Sequence, residues 1–370
     1  MKDGSKFARR GVMNLAPYIP GKPTEEVERE YGVHNVVKLA SNENPLKTSP
    51  MAVEAMRKEA VNSYLYPEGS SPMVREAIAE HTGVKPENVI VGNGGDHVIG
   101  LLCHAFITEG EEVIIGTPSF RTYGLNAAIM GAKIVEVPLK DMTFDLDAIL
   151  AAITPKTKLI FFCNPNNPTG TIVGKKKVAE FMSKVPEHVI VVFDEAYTEY
   201  VADPEYPNGV DYVKQDRNVM VVRTFSKIYG LAGNRVGYAI APAWLIDVVG
   251  RVIPAFPVNR MAQVGAVAAL HDTEFLSEVR KVNLEGIAYL CKEFDKLDMP
   301  YAKPNGNFIF VDMRMPAKEI FVELMKRAFV IRPGNQWGYD TYARITVGTM
   351  EQNKALIAAL TELKAIYSKK

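Results

Sequence analysis

Residues 219–237 read VMVVRTFSKIYGLAGNRVG, and the Val-rich apolar run with which they begin is typical of a buried strand. Lys227 follows the predicted strand end, beside the hydroxyl groups of Thr224 and Ser226. Arg235 lies in the glycine-rich segment that comes next. Burial lowers the pKa of a lysine and keeps its amine neutral and nucleophilic, while hydroxyl groups and a guanidinium can hold a phosphate nearby. The stretch therefore predicts a nucleophilic lysine next to an anion site.

Short apolar runs alternate with amphipathic helical stretches around this segment. The runs lie at 89–91, 113–115, 134–137, 159–162, 189–193, 219–222 and 236–240. Such alternation predicts an α/β fold with a sheet buried on both faces, and functional residues then gather at strand ends. The later pattern is mainly helical with a few strands. We expect an N-terminal arm at 1–45, a large domain at 46–258 and a small α+β domain at 259–370.

Composition limits the possible partners and the cellular location. The 370 residues exceed the usual size of one hydrophobic core. The balance of 43 basic and 43 acidic residues argues against nucleic acid or an anionic membrane as a partner. Three scattered cysteines without CxxC spacing favour neither a disulfide framework nor a metal site. The first residues lack the apolar core of a signal peptide and no apolar run could span a bilayer, so we expect a cytoplasmic protein.

Polar residues also follow other predicted strands. Asp194 could hold a protonated pyridine nitrogen, the group that makes pyridoxal phosphate (PLP) an electron sink. Asn167 and Tyr197 are suited to hydrogen-bond the phenolic oxygen of PLP. Phe120 could lie over the face of its ring. The combination with Lys227 predicts a PLP site, although each residue alone has a structural explanation as a cap, a turn or a core residue.

The phosphate of PLP requires donors at the other end of such a site. Gly95 and Asp96 follow a strand and begin a helix, so their backbone N–H groups point outward and can bind an anion. The predicted phosphate ligands are thus Gly95, Asp96, Thr224, Ser226 and Arg235.

Several segments, in this order, resemble the fold type I (aspartate aminotransferase-like) PLP enzymes. They are NPNNPTG at 164–170, DEAY at 194–197 and RTFSKIYGLAGNRVGY at 223–238. A narrower set resembles the histidinol-phosphate aminotransferases. It comprises KLASNENPL at 38–46, YPEG at 66–69, NPNNPTGT at 164–171, DEAYTEY at 194–200, RTFSK at 223–227 and RITVGTMEQN at 344–353. The similarity runs from the N-terminal arm nearly to the last helix.

This resemblance implies a large domain with a mixed, mostly parallel seven-stranded sheet and a small α+β domain. It implies that Lys227 forms a Schiff base with PLP and then moves the proton, with Asp194 and Tyr197 as further catalytic residues. The positions that match cofactor-binding residues of the family are Phe120, Asn167, Asp194, Tyr197, Ser226 and Arg235. Tyr66 matches a tyrosine that reaches the PLP phosphate of the neighbouring subunit, which implies a homodimer with shared sites.

The resemblance also implies a substrate site. Arg344 matches an arginine that grips the anionic group of the substrate, and Arg332 lies where the family has a second cationic contact. Tyr18 and Asn42 lie where the arm and the first loop close over the substrate. A guanidinium binds either a carboxylate or a phosphate, so one pocket can take glutamate and histidinol phosphate in turn.

The expected reaction is transamination between L-histidinol phosphate and 2-oxoglutarate in histidine biosynthesis. An aromatic amino-acid aminotransferase is an alternative, because both side chains are flat rings on a short stem. A threonine-phosphate decarboxylase is a further alternative, and so is a PLP-fold protein without catalysis, against which Lys227, Asp194 and Arg235 argue. The chain departs from the usual family pattern at 94–97, at Asn234 and at 255–257, and the last segment bears on substrate identity.

Overall fold

The structure is a computed structural model that describes residues 6–13, 15 and 21–368. The strands are β1 (Val37–Lys38), β2 (Val89–Gly92), β3 (Glu112–Thr117), β4 (Lys133–Pro138), β5 (Thr157–Cys163), β6 (Ile190–Asp194), β7 (Val219–Thr224), β8 (Gly237–Ile240), β9 (Phe308–Asp312), β10 (Phe329–Val330), β11 (Arg332–Pro333) and β12 (Tyr342–Thr346). The helices are α1 (Arg10–Met13), α2 (Thr24–Tyr31), α3 (Pro50–Glu59), α4 (Pro72–Thr82), α5 (Gly95–Phe106), α6 (Thr122–Ile129), α7 (Leu146–Ala151), α8 (Lys175–Met182), α9 (Val210–Lys214), α10 (Ala243–Gly250), α11 (Arg260–His271), α12 (Thr273–Lys296), α13 (Ala317–Met325) and α14 (Met350–Tyr367).

Side-chain caps fix the start of several helices. Ser49 accepts a hydrogen bond from the N–H of Ala52 and precedes a proline at the first position of α3. Asn259 and Asp272 cap α11 and α12 in the same way. The hydroxyl of Ser49 also donates to Asp272 Oδ2 at 2.6 Å. The start of α12 is thus tied to the start of α3.

A seven-stranded sheet organises the larger part of the chain, in the order β2-β8-β7-β6-β5-β3-β4. Strand β8 runs antiparallel to both of its neighbours, and all other pairs are parallel. Every residue of β6 and β7 is buried, as apolar strands covered on both faces require. The predicted α/β fold with a mixed, mostly parallel sheet of seven strands is confirmed.

The carboxyl ends of the central strands meet at one edge of this sheet. Strands β5, β6 and β7 are parallel neighbours, and Cys163 lies beside Asp194 in their register. Strand β2 is antiparallel to β8, which is antiparallel to β7, so β2 points the same way as these three. The first turn of α5 and the residues that follow β5, β6 and β7 are therefore brought together.

A second core lies outside the large sheet. It packs α12, α13 and α14 against the three-stranded sheet β11-β12-β9. Val27 of α2 and Ala40 pack with Met325 and Val330 in a small cluster beside it. The part of the arm from α2 to Ala40 thus rests on the small C-terminal unit, whereas α1 contacts α6 of the large domain.

The domain limits at 45 and 258 stay a prediction, but the packing favours a later boundary between the two cores. Helix α11, which the predicted limit gives to the small domain, contributes Ala262, Ala266 and Ala269 to the core of the large sheet. Its small residues permit close approach to α3, since a Cβ at Gly265 would lie 3.0 Å from Met56 Cγ. The larger core continues to Val279, inside α12.

No helix among residues 6–13, 15 and 21–368 combines the length and the apolar character needed to cross a bilayer. The apolar helices are short: α10, for example, has eight residues. They cover the sheet instead, where Leu245, Ile246 and Val249 of α10 are buried.

Gly230 fixes the turn that follows Lys227, and its substitution should destabilise the fold. Its φ is +69°, and an added Cβ would clash with the carbonyl oxygen of Lys47. We expect Gly230→Ala to lower the free energy of unfolding by about 2 kcal/mol or more, measured by urea denaturation.

Gly233 of the same loop is the matched control, because a Cβ there would meet no heavy atom within 4 Å. Gly233→Ala should change the free energy of unfolding by less than about 1 kcal/mol. Equal losses in the two variants would contradict the role assigned to the turn.

Candidate active site

The loops at the carboxyl ends of β5, β6 and β7 line a cavity of about 410 Å³. The sequence-predicted residues that line it are Asn42, Gly95, Asp96, Phe120, Asn167, Asp194, Tyr197, Thr224, Ser226, Lys227, Arg235, Arg332 and Arg344. Tyr66 is not among them, and Tyr18 lies outside the described residues. The structure thus brings most of the predicted site together, while the roles of these residues remain predictions.

Lys227 projects into this cavity from the loop after β7. Its Nζ donates to the carbonyl oxygen of Ser41 at 3.2 Å and lies 5.7 Å from the centre of the Tyr197 ring. Desolvation lowers the pKa of Lys227 to about 8, and the positive charge of Arg344 acts in the same direction. A substantial fraction of the amine is therefore neutral, and hence nucleophilic, near pH 8.

Asp194 ends β6 with its carboxylate almost completely enclosed, only 4% of the residue being exposed. Oδ1 accepts a hydrogen bond from the N–H of Ala196 at 3.0 Å, and Oδ2 accepts one from the hydroxyl of Tyr123 at 2.5 Å. Burial raises the pKa of Asp194 to about 6, and the two hydrogen bonds act against that rise. A positive group placed against this carboxylate would restore its ordinary ionised state.

Asn42 lines the cavity and is also bonded to several elements around it. Its Nδ2 donates to the hydroxyl oxygen of Tyr197 at 2.9 Å, and its Oδ1 accepts from Thr346 Oγ1 at 3.0 Å. Its carbonyl oxygen accepts from Asn307 Nδ2 at 3.0 Å. Asn42 therefore joins Tyr197 to β12 and to the loop before β9. Burial raises the pKa of the Tyr197 hydroxyl, so this group keeps its proton.

Two arginines face the cavity from adjacent strands. Arg332 of β11 lies opposite Arg344 of β12 in the antiparallel register. Arg344 donates to Asn167 Oδ1 at 2.6 Å and to the carbonyl oxygen of Ala40 at 2.5 Å. Its guanidinium carbon lies 5.6 Å from the ring centres of both Phe308 and Trp337. The arrangement holds two cationic groups ready for an anionic ligand.

Donors for a second anion surround the start of α5. The first N–H groups of a helix have no intrahelical partner, and Gly95 and Asp96 occupy these positions beside the cavity. Arg235 Nη2 lies 3.7 Å from Asp96 Oδ2, and Arg235 Nη1 donates to the carbonyl oxygen of Ala232. A side chain at Gly94 would collide with the guanidinium of Arg235, so the glycine keeps this approach open.

The donor set fits PLP. A phosphate requires the helix start and Arg235, a pyridinium nitrogen requires a buried carboxylate such as Asp194, and an aldehyde requires a partly neutral amine such as that of Lys227. These groups line one cavity.

The residues that the sequence-based expectation missed include three that contact its members. Tyr123 contacts Asp194, Trp337 contacts Arg344, and Ser41 contacts Lys227 through its carbonyl oxygen. Trp337 is one of only 2 tryptophans, and it lies in the chain between β11 and β12, which carry the two arginines. This position could have indicated from the sequence that Trp337 lies near the site. Tyr123 lies three residues after Phe120, in the first turn of α6. The carbonyl of Ser41 has no signal in the sequence, because any residue supplies one.

Comparisons with known proteins agree with this chemistry. A sequence model of the class I and II aminotransferases matches residues 34–360. A histidinol-phosphate aminotransferase of Moorella thermoacetica is 47% identical over 358 residues, which are 96% of this chain and 93% of the relative. That of Brevibacillus brevis is 43% identical over 355 residues, covering 96% and 98% of the two chains. Among solved structures, a histidinol-phosphate aminotransferase from Sinorhizobium meliloti in complex with pyridoxal-5'-phosphate superposes with a TM-score of 0.89 at 26% identity, covering 96% of this chain and 97% of that one.

The ionisation of Lys227 can be measured on the protein without cofactor. Acylation of Lys227, followed by mass spectrometry across pH, should reach half of its maximal rate near pH 8, because only the neutral amine reacts. Arg344→Gln should move this midpoint to higher pH, because it removes a positive charge that opposes protonation of the amine.

Arg332→Gln is the control, since the charges that act most on the amine are those of Arg344, Glu43, Asp96 and Arg235. The pH midpoint of Lys227 acylation in Arg332→Gln should equal that of the parent. An unchanged midpoint in Arg344→Gln, or a shift of the same size in Arg332→Gln, would contradict the electrostatic account.

Proposed function

We propose that this chain, which belongs to the class I and II aminotransferases and among them to the histidinol-phosphate aminotransferase family, transfers an amino group between L-histidinol phosphate and 2-oxoglutarate. The products are imidazole-acetol phosphate and L-glutamate, in a step of histidine biosynthesis. One observation carries the proposal: the paired guanidinium groups of Arg332 and Arg344 line the same cavity as the partly neutral amine of Lys227.

PLP is the cofactor of this aminotransferase. When bound, it withdraws electrons from an amine attached to it and so makes the α-proton of that amine acidic. We assign the contact with its ring nitrogen to Asp194, and the contacts with its phenolic oxygen to Asn167 and Tyr197. Phe120 would cover its ring face. The start of α5 at Gly95 and Asp96 would hold its phosphate, together with Thr224, Ser226 and Arg235.

Lys227 has two tasks in this proposal, attachment of the cofactor and transfer of the substrate proton. Both need an amine that loses its proton near neutral pH, and desolvation in the cavity supplies this property. The carbonyl oxygen of Ser41 and the ring of Tyr197 fix the direction of the amine. Attachment and proton transfer thus depend on one side chain whose position the loops hold.

Arg344 and Arg332 bind the anionic end of each substrate. A planar guanidinium pairs with a carboxylate or with a phosphate, so the same two groups serve glutamate and histidinol phosphate in alternate half-reactions. The bonds from Arg344 to Asn167 and Ala40 fix its plane before the substrate arrives. Preorganisation of this kind reduces the entropy that binding costs.

Two other reactions use the same groups. An aromatic amino-acid aminotransferase would need the same lysine and arginine, and each differing contact in a shared pocket discriminates by only about 1–3 kcal/mol. A threonine-phosphate decarboxylase would also need an arginine for its phosphate. The choice of donor distinguishes both from transamination of histidinol phosphate.

We further propose a homodimer in which Tyr66 of each subunit reaches the site of the other. Tyr66 is 79% exposed and its ring stacks on that of Phe256 at 4.7 Å between centres. Val61 and Tyr64 nearby are exposed by 78% and 82%. An apolar surface of this kind on a folded chain favours an interface, and a two-fold dimer is the commonest arrangement.

A cytoplasmic location is part of the proposal. Cys103 and Cys163 are buried free thiols, and burial raises the pKa of Cys103 to about 12. Thiols persist unpaired in a reducing compartment.

The equal numbers of acidic and basic residues favour small molecules over nucleic acid as the ligands.

Donor choice tests the reaction. Formation of glutamate from 2-oxoglutarate should be fastest with histidinol phosphate, with kcat/KM about 10-fold or more above that for phenylalanine or tyrosine. Arg344→Gln should lower kcat/KM for histidinol phosphate and for 2-oxoglutarate by about 10- to 100-fold, because each loses a charge-assisted hydrogen bond.

Arg251→Gln, at an exposed arginine that pairs with Asp247, is the control and should leave these constants unchanged. Faster turnover of phenylalanine or tyrosine would make the chain an aromatic aminotransferase. Release of carbon dioxide from threonine phosphate would make it a decarboxylase.

Subunit mixing tests the shared site. Lys227→Ala and Tyr66→Ala chains should each have low activity as pure dimers. Random mixing yields half of the dimers as hybrids, each with one intact site, so we expect about a quarter of the parental activity to return. The control mixes Lys227→Ala with Asp194→Ala, two residues assigned to one subunit, and should recover nothing. Failure of the first mixture to recover activity would place Tyr66 outside the partner's site.

A further inference from the structure

Tyr123 is the residue that contacts Asp194 most closely. Its hydroxyl donates to Asp194 Oδ2 at 2.5 Å, across a separation of 71 residues in the chain. The other carboxylate oxygen, Oδ1, accepts from the backbone N–H of Ala196. One of the two bonds that hold the carboxylate therefore comes from a side chain, and that side chain can be changed without altering the backbone.

Packing leaves the Tyr123 ring little freedom. The residue is 0% exposed, and its ring stacks on Phe161 of β5 with 4.6 Å between centres and an interplanar angle of 9°. Phe120 meets the ring edge-on, with 5.6 Å between centres and an angle of 80°. Aromatic contacts in these geometries are favourable, and they fix the direction of the hydroxyl. The bond to Asp194 is thus held by the position of α6 on the sheet.

We propose that Tyr123 is a positioning residue for the cofactor: its hydroxyl orients Asp194 and keeps the carboxylate ionised for the ring nitrogen of PLP. A carboxylate accepts about four hydrogen bonds, so Oδ1 and Oδ2 retain capacity for the ring nitrogen while bound to Ala196 and Tyr123. The inference rests on the proposed function, because it presupposes that Asp194 faces PLP.

The sign of the effect follows from the surroundings of Asp194. Burial raises its pKa to about 6, and the bond from Tyr123 is the largest influence in the opposite direction. A donor that bonds to the charged form of an acid stabilises that form. The titratable groups that act on this carboxylate are those of Tyr123, Cys163, Asp96, Glu195 and Tyr197. Only Tyr123 and the N–H of Ala196 bond to it directly among the described residues.

The test measures PLP affinity across pH rather than turnover. Trp337 lines the cavity, so its fluorescence should report binding of PLP. Tyr123→Phe keeps the ring and removes only the hydroxyl. As the pH is lowered, both proteins should lose affinity for PLP, and the midpoint of this loss should lie about one pH unit higher in Tyr123→Phe than in the parent. Without the hydrogen bond from Tyr123, the carboxylate of Asp194 takes up a proton more readily. Affinity at pH 6 should fall by about fivefold, because the ionised fraction of Asp194 falls by that factor.

Tyr301→Phe is the matched control, since that hydroxyl also lies near a carboxylate, Asp295 Oδ2 at 3.4 Å, but in the small C-terminal core. Its pH profile should equal that of the parent. On an Asp194→Asn background, Tyr123→Phe should no longer move the profile, because the titrating group is absent. A shift that persists on that background would mean that Tyr123 acts only through packing and would overturn the inference.

Phe161→Leu offers a second approach if Tyr123→Phe does not fold. This substitution keeps the hydroxyl of Tyr123 but removes the ring on which Tyr123 stacks, so the hydroxyl is held less firmly against Asp194. We expect the pH midpoint of PLP affinity to shift in the same direction as in Tyr123→Phe, but by less. If the parent binds PLP and the variants have the same dependence of affinity on pH as the parent, the inference about Tyr123 is overturned but the proposed function is not. Failure of the parent to bind PLP at any pH would overturn the proposed function as well.

Discussion

The parallel pairing of β5, β6 and β7 is the constraint on which the site depends. It brings the Asn167 loop, Asp194 and the Lys227 loop to one edge of the sheet, although they lie far apart in the chain. Strand β8 returns antiparallel beside β7, and β2 beyond it resumes the common direction, so the start of α5 reaches the same edge. Shared strand polarity thus gathers an amine, a carboxylate and an anion-binding helix start around one cavity.

Burial then changes the acidity of the groups gathered there. Desolvation lowers the pKa of Lys227 to about 8 and raises that of Asp194 to about 6, because it disfavours the charged form of each. The pKa values of two residues that would both be fully charged in water at neutral pH are thus moved toward neutrality. The hydrogen bonds of Asp194 limit the rise of its pKa, while the positive charge of Arg344 lowers the pKa of Lys227 further.

Local sequence patterns were sufficient to predict the strands and the polar residues at their ends, because a strand and the loop after it are contiguous in the chain. These patterns could not predict contacts between elements that are distant in the chain and meet only when the helices pack on the sheet. The bond between Tyr123 and Asp194 depends on how α6 lies on the sheet, and the association of α11 with α3 depends on small residues that also suit a surface helix. Asn42 is a related case: its motif indicated a site loop, but its partners lie in both cores.

The segment that links the arm to the site contacts both structural units. Within three consecutive residues, the carbonyl of Ala40 holds Arg344, that of Ser41 holds Lys227, and the side chain of Asn42 joins Tyr197 to Thr346. A rotation of the small unit against the large sheet would change these contacts. The residues proposed to bind the substrate and to move the proton are therefore held by one short stretch of backbone.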